Sequence, residues 1–326
     1  MAIPEELRLD ADAEIDRIVM WMRAELQGSL RRRGFVIAMS GGVDSSVCAA
    51  LAVRAVGAKH VFGLFMPERD SNPDSLELAR SWANALGIDA TVEDITPLLD
   101  AAGCYRRRDD AIHRVVREFG GGWACKIVLP SDRLDSDRLN ISSLVVRSPD
   151  GATKTVRLPA DVYRQIVAAT NFKQRTRKML EYYHADRLHY AVIGTPNRLE
   201  FDQGFFVKGG DGLADLKPIA HLYKTQVYQL AEALGVPTDV TSRAPTTDTY
   251  SMPQSQEEFY FALPTAMMDR VLFARNSGDS VDEAALALSL TADQVERAYH
   301  DIDQKRATTR PLHLTARLIA PVLDPG

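Results

Sequence analysis

The residues best suited to chemistry lie in one short run, Ser40-Gly41-Gly42-Val43-Asp44-Ser45-Ser46. Gly41 and Gly42 let the backbone approach a ligand without a Cβ in the way. Three serine hydroxyls add donors. The apolar stretch that begins at Val43 and Val47 reads as a helix, so the unpaired N–H groups of its first turn and its dipole would face an anion at the turn. A Walker A loop would place Lys after its last glycine. Here Asp44 follows instead. A carboxylate beside a phosphate repels it unless a cation lies between them, so Asp44 implies Mg²⁺ on hard oxygen ligands. The plain alternative is an ordinary strand-to-helix turn with Asp44 as the helix cap.

The elements that must position this turn are legible around it. Phe35 to Met39 is a short apolar run, as expected of a buried parallel strand. His60–Met66 and Ile88–Ile95 read as two more strands, with helices from the turn to about Val56 and from Pro73 to Leu86 between them. This alternation predicts an α/β fold: a doubly wound parallel sheet with helices on both faces. Ligands of such sheets bind at the carboxyl ends of strands, where the Ser40 turn would lie. A helix over 10–32 precedes the first strand, and Thr96 to about Phe119 reads as helical. An inserted β-hairpin is expected at about 138–160, turning at Ser148-Pro149-Asp150-Gly151. Asp161 is expected to cap a helix to about Tyr183, and Leu188–Thr195 to form another buried strand. A glycine- and charge-rich loop follows over 196–220, then a helix over Leu222–Leu234 and a helical C-terminal part with Thr291 as one cap.

Composition bounds the function. The chain has 326 residues, 45% apolar and 25% charged, enough for a sizeable core in one domain spanning 1–326. A net charge of -5 argues against a nucleic-acid groove. Cys48, Cys104 and Cys125 are odd in number and lack a C-x-x-C pair, which disfavours a disulfide framework, a zinc site or a thiol relay. The polar N-terminus has no signal-peptide pattern, and no apolar run approaches membrane-spanning length. A cytoplasmic protein is expected, with neither membrane nor nucleic acid as partner.

The motif Ser40–Ser46 resembles the pyrophosphate loop of the N-type ATP pyrophosphatases, whose fold is adenine nucleotide alpha hydrolase-like. A second stretch narrows the resemblance to the NAD synthase family. Asn171, Lys173, Arg175 and Arg177 match its N-x-K-x-R-x-R helix. Gly194-Thr195 with Glu200, Gly204–Lys208, Gly210–Asp215, Leu222–Gln226 and Pro245-Thr246 match its later motifs in order. The resemblance implies ATP-dependent amidation of deamido-NAD by ammonia through an acyl adenylate, giving NAD, AMP and pyrophosphate. It further implies that Ser40, Gly41, Gly42, Val43, Asp44 and Ser45 bind ATP together with Thr195, Lys224 and Thr246. Asp44 and Glu200 would hold Mg²⁺, with Asp44 and Lys224 the catalytic pair. Arg175, Lys208, Asp215, Gln304 and Lys305 would meet deamido-NAD. A homodimer is also implied.

Three features depart from the family pattern. Gln304-Lys305-Arg306 stands where His-Lys-Arg is usual, Gln256 replaces an acid in Gln254–Glu257, and the hairpin is longer. These bear on the carboxylate substrate more than on the ATP chemistry. An AMP-forming amide ligase acting on another carboxylate is therefore the alternative. No glutaminase domain is expected in the chain, so ammonia is expected to come free or from a separate partner. A nucleotide-binding regulatory protein on the same scaffold is a third reading, disfavoured because binding alone needs no pair of metal carboxylates.

Overall fold

Alternation within Phe35–Ala38 decides how the body is layered. Phe35 and Ile37 turn into one apolar cluster and Val36 into another, so this strand is covered on both faces. All three side chains are fully buried, each worth about 1.5–3 kcal/mol of transfer from water. The computed structural model describes residues 3–129, 142–244, 249–261, 263–320 and 322. Among these residues seven strands form: β1 (Phe35–Ala38), β2 (Val61–Phe65), β3 (Asp89–Val92), β4 (Ala124–Val128), β5 (Ser143–Arg147), β6 (Thr153–Arg157) and β7 (Ala191–Ile193).

The main sheet runs β3-β2-β1-β7, with every pair parallel. Helices Ala11–Gln27, Val43–Val56, Pro73–Leu86 and Lys224–Ala233 cover one face. Helices Thr96–Ala101, Cys104–His113 and Ala160–Leu188 cover the other. The expected doubly wound sheet is present, with its four strands where the apolar runs lie. Strand order reverses between β1 and β7, and a crevice opens above their carboxyl ends.

The remaining elements differ in detail from the sequence reading. The hairpin forms as β5 and β6, with Arg147 opposite Thr153. β4 pairs with β5 as a third strand that the sequence reading misses. Its alternation is short: only Cys125 and Ile127 turn inward, against Leu144, Val146 and the start of the Ala160–Leu188 helix. Part of the expected insert, residues 138–141, lies outside the described residues. The single helix expected over 96–119 is broken at Gly103, which has φ 70. Asp161 is not a cap: Pro159 holds that position without a side-chain bond, and Asp161 pairs with Arg114. Thr291 does cap its helix, Ala292–His313, by accepting from Gln294 N. That helix packs with Thr265–Ser277 and Val281–Leu288 around a second apolar cluster that includes Leu199 and Tyr223.

Candidate active site

The turn after β1 opens into a cleft of about 550 Å³. Ser40, Gly41, Gly42, Val43, Asp44 and Ser45 line it, as do Thr195, Glu200, Lys224, Arg175 and Lys208. Residues separated by more than 180 positions in sequence thus meet above the reversal point of the sheet.

The two glycines of the turn are not equivalent. Gly41 has φ +76, and a Cβ there would sit 2.4 Å from the Ser75 carbonyl oxygen. At Gly42 a Cβ would meet nothing closer than Ser40 Oγ at 3.4 Å. The fold therefore requires the first glycine, whereas the second only keeps the cleft side of the turn open. The serines brace the turn from inside. Ser45 Oγ donates to Gly42 O at 3.0 Å and accepts from Ser40 N at 3.3 Å.

Asp44 does not cap its helix. The cap position is Gly42, with no side-chain bond. The Asp44 carboxylate instead pairs with Lys224 Nζ and accepts from Asn197 Nδ2 at 3.2 Å. Lys224 is 2% exposed. Burial alone would lower its ammonium, but Asp44 and Glu200 outweigh it and hold Lys224 above the usual lysine range.

Glu200 is placed by the short helix Arg198–Asp202. Asn197 and Glu200 form a capping box: Asn197 N donates to Glu200 Oε2 and Glu200 N to Asn197 Oδ1, both at 3.2 Å. Gln256 Nε2 donates to Glu200 Oε1 at 2.9 Å. Burial and the nearby Asp44 charge push the Glu200 carboxyl up to about 7. Among the described residues no group of three or more His, Cys, Asp or Glu is placed to hold a metal. Two carboxylates that repel each other do suit Mg²⁺, which takes one or two carboxylates and completes its shell with water and phosphate oxygens.

The other end of the cleft is basic. Arg175 Nε donates to Lys208 O at 3.2 Å. Lys208 Nζ donates to Pro311 O at 2.8 Å and Leu314 O at 2.9 Å, at the end of the Ala292–His313 helix. Beside them, buried Lys178 pairs with Glu181 at 2.7 Å. Asp211 Oδ1 accepts from Val207 N at 2.7 Å. Burial raises both carboxyls, Glu181 and Asp211.

Three of the residues expected to meet the carboxylate substrate lie outside this cleft. Asp215 is exposed at the sheet edge, where Oδ2 accepts from Val192 N at 2.7 Å and Oδ1 from Tyr182 OH at 3.2 Å. Gln304 is exposed on the last helix. Lys305 pairs with Asp301 at 2.7 Å and donates to Tyr260 O at 2.8 Å. Thr246 lies outside the described residues. Sequence reasoning gives no role to Asn197 or Asp269, nor to Asp211 although it stands in the matched Gly210–Asp215 motif. Asn-x-x-Glu is a capping signature that could have found the first; Asp269 carries no local signal.

Comparison with known proteins adds a family. The model of the NAD synthase family matches residues 14–117 and 137–310. An NH3-dependent NAD⁺ synthetase of Rhizobium rhizogenes is 59% identical over 98% of this chain and 96% of its own length. One from Thermotoga maritima is 33% identical over 77% of this chain and 83% of its own. Among solved structures, an NMN synthetase from Francisella tularensis superposes with a TM-score of 0.64 at 22% identity, covering 95% and 99% of the two chains. An NH3-dependent NAD synthetase from Campylobacter jejuni gives 0.62 at 20% identity, covering 96% and 100%. At those identities the structural likeness speaks for the fold alone.

Proposed function

The chain belongs to the NAD synthase family, and on that premise we infer that it amidates deamido-NAD with ammonia, consuming ATP and releasing AMP and pyrophosphate. The observation that carries the reading is the meeting of Asp44, Glu200 and buried Lys224 beside a glycine turn at the reversal point of the sheet.

The reaction asks for positioning and charge neutralisation more than for proton transfer. A nicotinate carboxylate oxygen attacks the α-phosphorus of ATP. The bond between that phosphorus and the bridging oxygen to the β-phosphate breaks, and pyrophosphate leaves. Ammonia then adds to the acyl carbon, loses a proton and expels AMP. In this reading the backbone and hydroxyls of Ser40–Ser45 cradle the pyrophosphate at the N-terminus of the Val43–Val56 helix. Lys224 offers an ammonium held charged by its acidic neighbours. Thr195 and Thr246 contact the nucleotide. Asp44 and Glu200 would hold Mg²⁺, which when bound neutralises charge on the leaving group. Arg175 and Lys208 give the far end of the cleft the charge to bind the dinucleotide pyrophosphate.

We also propose a symmetric homodimer. Met179 and Tyr183, four residues apart on the Ala160–Leu188 helix, are 56% and 59% exposed. The hydrogen bond from Tyr182 to Asp215 places Asp215 beside this face. A partner docked there would bring its own substrate toward Asp215, which its own cleft does not include. Gln304 and Lys305 keep a substrate role in this reading. The chain is taken as one catalytic domain with the β5–β6 hairpin as its insert, working in the cytoplasm where ATP is at hand. Among the described residues no helix is long and apolar enough to cross a membrane.

A second reading, an AMP-forming amide ligase on another carboxylate, draws on the position of Asp215, Gln304 and Lys305 outside the cleft. The test is incubation with deamido-NAD, ATP, Mg²⁺ and ammonia, followed by mass spectrometry. NAD formed one-for-one with AMP supports the first reading. AMP released only with other carboxylates supports the second.

A further inference from the structure

Lys224 is the first residue of its helix, Lys224–Ala233. The opening N–H groups of a helix have no partner within it. Here the partner comes from another part of the chain. Asp269, on the helix Thr265–Ser277, accepts from Lys224 N at 3.2 Å through Oδ1. Its Oδ2 accepts from Thr225 N at 2.6 Å and Thr225 Oγ1 at 2.7 Å. The residue is 0% exposed. A buried carboxylate is costly unless its oxygens are bonded, and all of these bonds go to the start of one helix. The helix dipole favours the charge there.

We propose that Asp269 is a positioning residue for the reaction, holding the backbone of Lys224 so that its ammonium meets Asp44 across the cleft. The proposal rests on the reading of Lys224 as the lysine that contacts the ATP phosphates. Lys224 has no room to compensate for a displaced backbone, because its side chain is buried and its Nζ already pairs with Asp44. Where its Cα goes, the ammonium follows. The C-terminal helices thereby act on catalysis from outside the cleft, through one carboxylate. A cap that served stability alone would leave turnover independent of Asp269 once the protein is folded.

The experiment is a double-mutant cycle with Lys224→Gln, read by NAD formation well below the melting temperature of each variant. Asp269→Asn keeps the shape but replaces one of the two accepting oxygens with an NH2 group, so that one of the two backbone N–H groups faces a donor instead of an acceptor. In the wild-type background it is expected to lower kcat by about 10- to 100-fold, with KM for deamido-NAD unchanged. In the Lys224→Gln background it is expected to lower kcat no further, because residues acting through one another are not additive. Should Asp269→Asn fail to fold, Thr225→Val runs the same cycle with a smaller expected loss. Wild-type kcat in the folded Asp269 variant, or losses that multiply with Lys224→Gln, overturn the proposal. Wild-type turnover in Lys224→Gln alone overturns the reading of Lys224, and the proposal with it.

Discussion

Glu200→Gln should stabilise the metal-free protein at neutral pH while removing its activity. Burial and Asp44 hold the Glu200 carboxyl at about 7, against an ordinary 4.5. The folded state therefore binds this proton more tightly than the unfolded state does. The contribution to stability is full below about pH 4.5 and is lost as pH rises through about 7. At about 1.4 kcal/mol per pH unit, the ionised carboxylate destabilises the fold by about 3 kcal/mol at pH 7.5, of which a little under 1 kcal/mol is already present at pH 5. Gln keeps an oxygen for Gln256 but presents an amide to Asn197 N, a loss that is the same at both pH values. The stability difference between variant and wild type should thus favour the variant by about 2 kcal/mol more at pH 7.5 than at pH 5. Urea unfolding in EDTA at the two pH values measures it, with the slope checked for constancy. Adding Mg²⁺ with ATP should stabilise wild type and not the variant. A difference that is equal at the two pH values, or larger at pH 5, would refute the electrostatic account. Undiminished NAD formation by the variant would refute the metal role.

The two glycines of the turn should separate stability from binding. Gly41→Ala meets positive φ and the Ser75 carbonyl, and should lower stability by at least about 1–3 kcal/mol in a thermal melt. Gly42→Ala should melt near wild type but raise KM for ATP, and equal melting of the two would contradict the geometry. Lys208→Ala should raise KM for deamido-NAD several-fold and leave that for ATP little changed; an unchanged KM for deamido-NAD would remove Lys208 from the substrate site. Tyr183→Asp with Met179→Asp should halve the mass seen by light scattering, whereas a wild-type protein already monomeric at micromolar concentration would end the dimer proposal.

What the sequence by itself determined was local. The apolar runs at β1, β2 and β7 announce buried strands because each must be covered on two faces, whereas β3 lies exposed at the edge of the sheet. The Ser40–Ser46 turn raises the expectation of an anion site because glycines, hydroxyls and a helix start coincide there. Matching motifs in order marked Glu200, Lys224, Arg175 and Lys208, and the cleft brings all four together. The tertiary structure decided which of those groups face one another. That Asp44 pairs with Lys224 rather than capping its helix depends on a contact across 180 residues. No window of sequence records such a contact, because it is set by how helices cross the sheet. The same holds for Asp269, whose target helix start lies 44 residues away. Asp215 and Lys305 show the converse: motif matching marks both, yet a backbone amide of β7 and the Asp301–Tyr260 cluster engage their charges outside the cleft. Spacing along a chain identifies which residues carry charge, while burial and packing decide what each charge meets.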